Sequence, residues 1–221
     1  MKKLILFDLD GTLIDSLEDL SEAVNHALSK RGLPLHTVAE YRRKVGHGVR
    51  NLVKQALPEG ADDALVDSAL TDFKAYYQAH IDVHTRPYAG MPELLTELQA
   101  HGVHLAVASN KFQEGTEYLI ERFFPGIRFV AILGNRPGAP LKPDPEIVQE
   151  VLRKADVQPA DALLVGDSPT DMKTARNGGI RGIAVRWGYR DMPAAAPAAP
   201  GAPDAFASAA DPAELRALLL D

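Results

Sequence analysis

Two acids stand where an aliphatic run ends. In LILFDLDGTLIDS, residues 4 to 16, Asp8 and Asp10 follow Leu4, Ile5, Leu6 and Phe7 and are themselves followed by Gly11 and Thr12. Burying a carboxylate without a partner costs several kcal/mol or shifts its protonation, so this pattern predicts a cationic partner at the end of a buried strand. Similar polar groups close other apolar runs. Ser109, Asn110 and Lys111 end one, Gly166, Asp167 and Ser168 end another, and Asp171 lies at i+4 from Asp167. Leu141, Lys142, Pro143 and Asp144 precede a helical stretch. Each has an ordinary reading alone: Asp167 a helix cap, Ser109 a turn former, Lys142 a solvated charge. Together they bring three carboxylates, a hydroxyl, an amide and a lysine to one edge of a fold, and that joint placement marks a site.

That edge is set by the elements. LILFD (4–8), VHLAVAS (103–109), FVAIL (129–133), ALLVGD (162–167) and GIAVRW (182–187) are short aliphatic runs between breakers, as expected of parallel strands buried on both faces. Helices fit between them at 92–100, 113–123, 145–154 and 170–177, with Pro92 and Pro145 at starts and Gly178 and Gly179 at an end. The alternation predicts an α/β doubly wound parallel sheet, with ligands beyond the carboxyl ends of its strands. Residues 15–84 break the rhythm with amphipathic helical patterns and no strand, which predicts an all-helical insertion. The expected division is a core of 1–14 and 85–221 and a helical cap of 15–84, hinged at its two connections. MPAAAPAAPGAP (192–203) reads as a low-complexity surface loop, followed by a short edge strand at DAFA and a terminal helix capped by Asp211.

Bulk properties narrow the function. The 221 residues contain 46% hydrophobic residues, enough for a large packed core. No apolar run approaches the ~18 residues of a membrane span, and Asp8 and Asp10 interrupt the start, so the expectation is a cytoplasmic protein without membrane attachment. The absence of cysteine excludes disulfides, thiolate metal sites and cysteine nucleophiles. A formal net charge of -6 argues against nucleic acid as partner.

FDLDGTLIDS, ASNK, LKPDP and VGDSPTD, in this order and at strand ends, resemble the four motifs of the haloacid dehalogenase-like hydrolase superfamily. The insertion after the first motif is similar to the small helical cap of its phosphoglycolate phosphatase and beta-phosphoglucomutase branch. The resemblance implies a Rossmann-like core and covalent phosphoryl chemistry. Asp8 would attack phosphorus to form an aspartyl-phosphate, and Asp10 would protonate the leaving oxygen and then deprotonate water. Mg2+ would be held by Asp8, the backbone carbonyl of Asp10 and Asp167, with Asp171 behind them orienting metal-bound water or Lys142. Ser109 and Asn110 would donate to the phosphoryl group, Lys142 would neutralise charge, Gly11 would let the chain turn close to the phosphate, and Thr12 would orient the loop. A halide leaves without a proton and an alkoxide does not, so an acid at Asp10 favours phosphate esters over haloacids.

The implied partner is a small phosphorylated metabolite, with the protein a monomer or homodimer. Specificity should lie in the cap, where Gly46 and Gly48 bracket His47 in YRRKVGHGVRNL and a helix starts near Val49. Its N-terminus together with Arg50 could receive a small carboxylate such as that of 2-phosphoglycolate. The other reading of these residues is a glycine-rich connection with solvated charges. Alternative activities are beta-phosphoglucomutase-like transfer, or a nucleotide, sugar-phosphate or pyrophosphate phosphatase; a noncatalytic binding module is the alternative outside enzymes. His80 and His84 in HIDVH have zinc-ligand spacing but no third ligand near them in the sequence, and Trp187 reads as packing.

Overall fold

The computed structural model describes residues 2–193 and 206–220. In chain order the elements are β1 (Leu4–Phe7), β2 (Ile14–Asp15), α1 (Leu17–Ser29), α2 (Val38–Tyr41), α3 (Val49–Ala56), α4 (Asp63–His80), β3 (Arg86–Pro87), α5 (Met91–Ala100), β4 (His104–Phe112) and α6 (Gln113–Phe123). Then follow β5 (Phe129–Asn135), α7 (Glu146–Ala155), β6 (Ala162–Gly166), α8 (Pro169–Asn177), β7 (Arg181–Val185), β8 (Ala207–Ala209) and α9 (Pro212–Leu220). Six strands form one parallel sheet in the order β5-β4-β1-β6-β7-β8.

β1 is central because all four of its side chains are apolar and all are buried. Burial of each is worth roughly 1.5–3 kcal/mol. Successive side chains point to opposite faces, and the core divides accordingly. Ile5 and Phe7 join Leu94, Leu95 and Leu98 of α5 and Leu215 and Leu219 of α9. Leu4 and Leu6 pack with Ile147, Val148 and Val151 of α7 and Ala175 of α8. The chain runs outward through β4 and β5, then returns to the other side of β1 at β6. Strand order therefore reverses at β1, between β4 and β6, where the polar strand ends meet.

β4 is longer than the sequence pattern indicates. Its pairing with β5 passes from Ala108 opposite Leu133 to Phe112 opposite Asn135, so four residue steps on β4 cover two on β5. The excess bulges out at Ser109, Asn110 and Lys111. The low-complexity loop assigned to 192–203 falls mostly outside the described residues, as does the first half of DAFA; the edge strand observed is Ala207–Ala209. Asp211 accepts from the Glu214 N–H at 2.9 Å, the expected cap of α9.

Helices α1 to α4 lie between β2 and β3, which pair antiparallel, Ile14 with Pro87 and Asp15 with Arg86. The two connections thus form a short ribbon. Asp19 of α1, 1% exposed, fastens it by accepting from the backbone N–H groups of His84 and Thr85 and from the Thr85 hydroxyl. In this helical part Tyr41, Phe73 and Tyr77 are fully buried. Asp62 caps α4 through the Leu65 N–H. The short α2, unforeseen from periodicity, carries a Thr37 and Glu40 capping box.

Candidate active site

Three strand ends and one loop supply the site. Asp8 follows β1, Ser109 lies in the β4 bulge, Asp167 follows β6, and Lys142 comes from the segment before α7. The Lys142 Nζ lies 2.9 Å from Asp8 Oδ1 and 2.7 Å from Asp171 Oδ1, and donates to the Ala108 carbonyl at 2.8 Å. Asp171 is the third residue of α8, where it forms a capping box with Ser168. Its Oδ2 accepts from the Ser168 N–H and hydroxyl, leaving Oδ1 for the lysine. Asp171 therefore aims Lys142 at Asp8.

Carboxylate oxygens of Asp8, Asp167 and Asp171 lie within 4.8 Å of one another. Three buried acids face one ammonium. Burial pushes Asp8 up to about 6 despite the opposing pull of Lys142. It pushes Asp167 up to about 8, reinforced by Asp171 and Asp8 and opposed by the Tyr189 N–H. For Lys142, burial acts to lower the value but is outweighed by Asp171 and Asp8, so the ammonium is held firmly charged. A cluster of hard oxygens with uncompensated negative charge is the donor set a small divalent cation requires.

The close approach of these groups depends on two glycines. A Cβ on Gly11, which has φ +87°, would stand 2.4 Å from Asp167 Oδ2. A Cβ on Gly188 would stand 2.3 Å from both Asp167 Cβ and the Gly11 carbonyl. The next residue, Tyr189, donates its N–H to Asp167 Oδ2 at 2.6 Å. Gly11 was expected from the sequence; Gly188 and Tyr189 carried no assigned role.

Asp10 is held differently. Its Oδ1 accepts from the Ser16 hydroxyl at 2.5 Å and lies 3.2 Å from Lys111 Nζ, which also donates to the Tyr77 hydroxyl at 2.7 Å. Neither Lys111, Ser16 nor Tyr77 was assigned a role from the sequence. Lys111 was visible in ASNK, but its partners are 101 and 34 residues away and carry no local signal.

Asp8, Asp10, Ser109, Asn110, Lys111, Gly46 and Gly48 line one cleft with Leu20, Val45, Val49 and Leu52. It has about 410 Å³ of empty space, its open mouth included. Other residues expected at the site are placed as follows. The Asn110 side-chain amide donates to the Gly46 and Lys142 carbonyls and its Oδ1 accepts from the Lys142 N–H, so both side-chain amide hydrogens serve the backbone. Arg50 pairs with Asp63 and Asp67 on the exposed side of the helical part and does not line the cleft. His47 is exposed and also does not line it. The Thr12 N–H donates to the Leu9 carbonyl, whereas its buried hydroxyl has no hydrogen-bond partner among the described residues. His84 lies 3.8 Å from Glu18 and 3.5 Å from Glu22, neighbours its sequence context did not reveal.

The haloacid dehalogenase-like hydrolase family model matches residues 5–185. A phosphoglycolate phosphatase of Mesorhizobium japonicum is 38% identical over 193 residues, 86% of this chain and 85% of that protein. A solved structure from Lactobacillus delbrueckii subsp. bulgaricus superposes with a TM-score of 0.89 at 31% identity, covering 100% of this chain and 99% of its own. A Haemophilus somnus structure described as a predicted phosphoglycolate phosphatase gives 0.84 at 29% identity, covering 99% and 98%. With the motifs at the strand ends, Asp8 and Asp10 beside the cleft and a family match across most of its length, the chain belongs to the haloacid dehalogenase-like hydrolase family.

Proposed function

We propose that the protein is a Mg2+-dependent phosphatase that hydrolyses a small phosphate monoester through an aspartyl-phosphate on Asp8, with 2-phosphoglycolate the leading substrate. In this reading residues 15–84 are a cap over a core of 1–14 and 85–221. The observation that carries it is the clamp of Lys142 on Asp8 and Asp171 at the strand ends, with Asp167 alongside and Asp10 facing the same cleft.

Asp8, Asp167 and the backbone carbonyl of Asp10 would hold the cation, whose charge supplies electrostatic stabilisation of the phosphoryl oxygens. An Asp8 oxygen attacks phosphorus, the bond from phosphorus to the leaving oxygen breaks, and Asp10 gives that oxygen its proton. Water then attacks the aspartyl-phosphate and yields its proton to Asp10. The bond to Asp8 breaks and inorganic phosphate leaves. Lys142 holds Asp8 ionised and offsets negative charge gathering beside it, and the Ser109 hydroxyl donates to a phosphoryl oxygen.

Phosphate release from a panel of monoesters, with and without Mg2+, tests this. Phosphoglycolate should rank near the top, and indifference to it would leave only the general phosphatase reading. Asp8→Asn should lower kcat by at least about 10³-fold with its thermal unfolding intact. Retained turnover in that variant would refute the covalent route, while a requirement for a bisphosphate activator would favour the mutase alternative.

A further inference from the structure

Lys111 brings a buried ammonium to the cleft. Its side chain is 1% exposed, and an ammonium has three N–H donors. They meet the Tyr77 hydroxyl at 2.7 Å and, at the longer distances of 3.2 and 3.4 Å, the two carboxylate oxygens of Asp10. The ammonium also lies 4.7 Å from the centroid of the Tyr77 ring, which fixes it further. Burial deepens the attraction between such a cation and an anion that enters beside it.

Among the residues lining the cleft, Lys111 is the only cationic one. The helical part contributes Leu20, Val45, Val49 and Leu52, aliphatic side chains that offer nothing to a hydroxyl group, with Gly46 and Gly48 adding only backbone. Asp10, the expected proton donor to the leaving oxygen, is 3.2 Å from Lys111 Nζ. A carboxylate one methylene removed from that oxygen therefore falls beside the ammonium. A sugar in the same place would bring several hydroxyls against hydrocarbon and leave them without partners.

Resting on the phosphatase reading above, we propose that Lys111 is the specificity-determining cation of the cleft, binding the carboxylate of a short acidic leaving group, with the aliphatic wall rejecting neutral polyhydroxylated ones. This assigns to Lys111 the recognition that the sequence pattern placed at Arg50.

Two substrates of similar size separate this role from the simple positioning of Asp10. Phosphoglycolate carries the acid; monoethyl phosphate lacks it. The wild type should prefer phosphoglycolate in kcat/KM by about tenfold or more. Lys111→Met should lose that preference chiefly through a raised KM for phosphoglycolate, and Lys111→Arg should recover part of it. If the variant lowers kcat/KM for both substrates equally, Lys111 only positions Asp10 and the proposal is overturned, with the phosphatase reading intact. If the wild type releases phosphate from neither substrate but does so from other monoesters, the phosphoglycolate reading falls, and Lys111 with it. Should Lys111→Met fail to fold, the wild-type ratio still decides: equal kcat/KM for the two substrates refutes the assignment.

Discussion

Near neutrality and without a cation, Asp167 keeps its proton, because burial, Asp171 and Asp8 together push it up to about 8. Its ordinary value, 3.8, belongs to the unfolded chain. The folded protein thus binds this proton more tightly. The associated stability is fully present below the ordinary value and is lost as pH rises through 8. Asp8, raised to about 6, adds a loss of the same sign over a lower range. A divalent cation held by the ionised carboxylates would reverse the trend. In EDTA the thermal midpoint should fall between pH 5 and 8.5. Mg2+ should raise it more at pH 8.5 than at pH 5.5, as read by differential scanning fluorimetry. An equal Mg2+ shift at both values would mean that these carboxylates do not hold the ion.

The loop after β7 gives the clearest case of an element acting through its backbone. Gly188 admits the Gly11 carbonyl and Asp167 to a space that a side chain would fill, and Tyr189 then donates its N–H to the carboxylate. Gly188→Ala should cost about 1–3 kcal/mol of stability in urea unfolding and weaken Mg2+ binding by calorimetry. Unchanged Mg2+ affinity would show that the loop can yield without moving Asp167. Sequence made the main elements legible because parallel strands buried on both faces appear as uninterrupted aliphatic runs, and their carboxyl ends placed Asp8, Ser109 and Asp167 together. Local patterns do not reveal contacts made at long range. β2 and β3 are two residues each and pair with each other across the whole helical part, while Ser16 and Tyr189 meet across 173 positions. Arg50 was partly legible. Leu52, Val53 and Ala56 form the buried face of α3, so a residue one step after Val49 turns away from that stripe, toward Asp63 and Asp67.

At the scale of the whole molecule, the helical part and the sheet are joined by a reciprocal pair of arginines. Arg42 donates to the Gly188 carbonyl at 2.5 Å and the Tyr189 carbonyl at 3.1 Å. Arg190 donates back to the carbonyls of Arg42 at 2.7 Å and Val45 at 2.5 Å. The bound carbonyls flank the Tyr189 N–H that serves Asp167 on one side and reach Val45 of the cleft on the other. Arg42→Ala and Arg190→Ala should each cost about 1 kcal/mol in unfolding. Both should raise KM, and the double variant should lose less than the two single effects combined, because the arginines share one closed arrangement. Strict additivity in a double-mutant cycle would show that the two contacts act independently. The β2–β3 ribbon has a separate implication for altering such a protein. The helical bundle leaves and rejoins the sheet through neighbouring strands, about 5 Å apart, so it is attached as a cassette in a socket. A different bundle with equally close ends could be grafted there, replacing the aliphatic wall of the cleft while Asp8, Lys142 and Asp167 stay on the sheet.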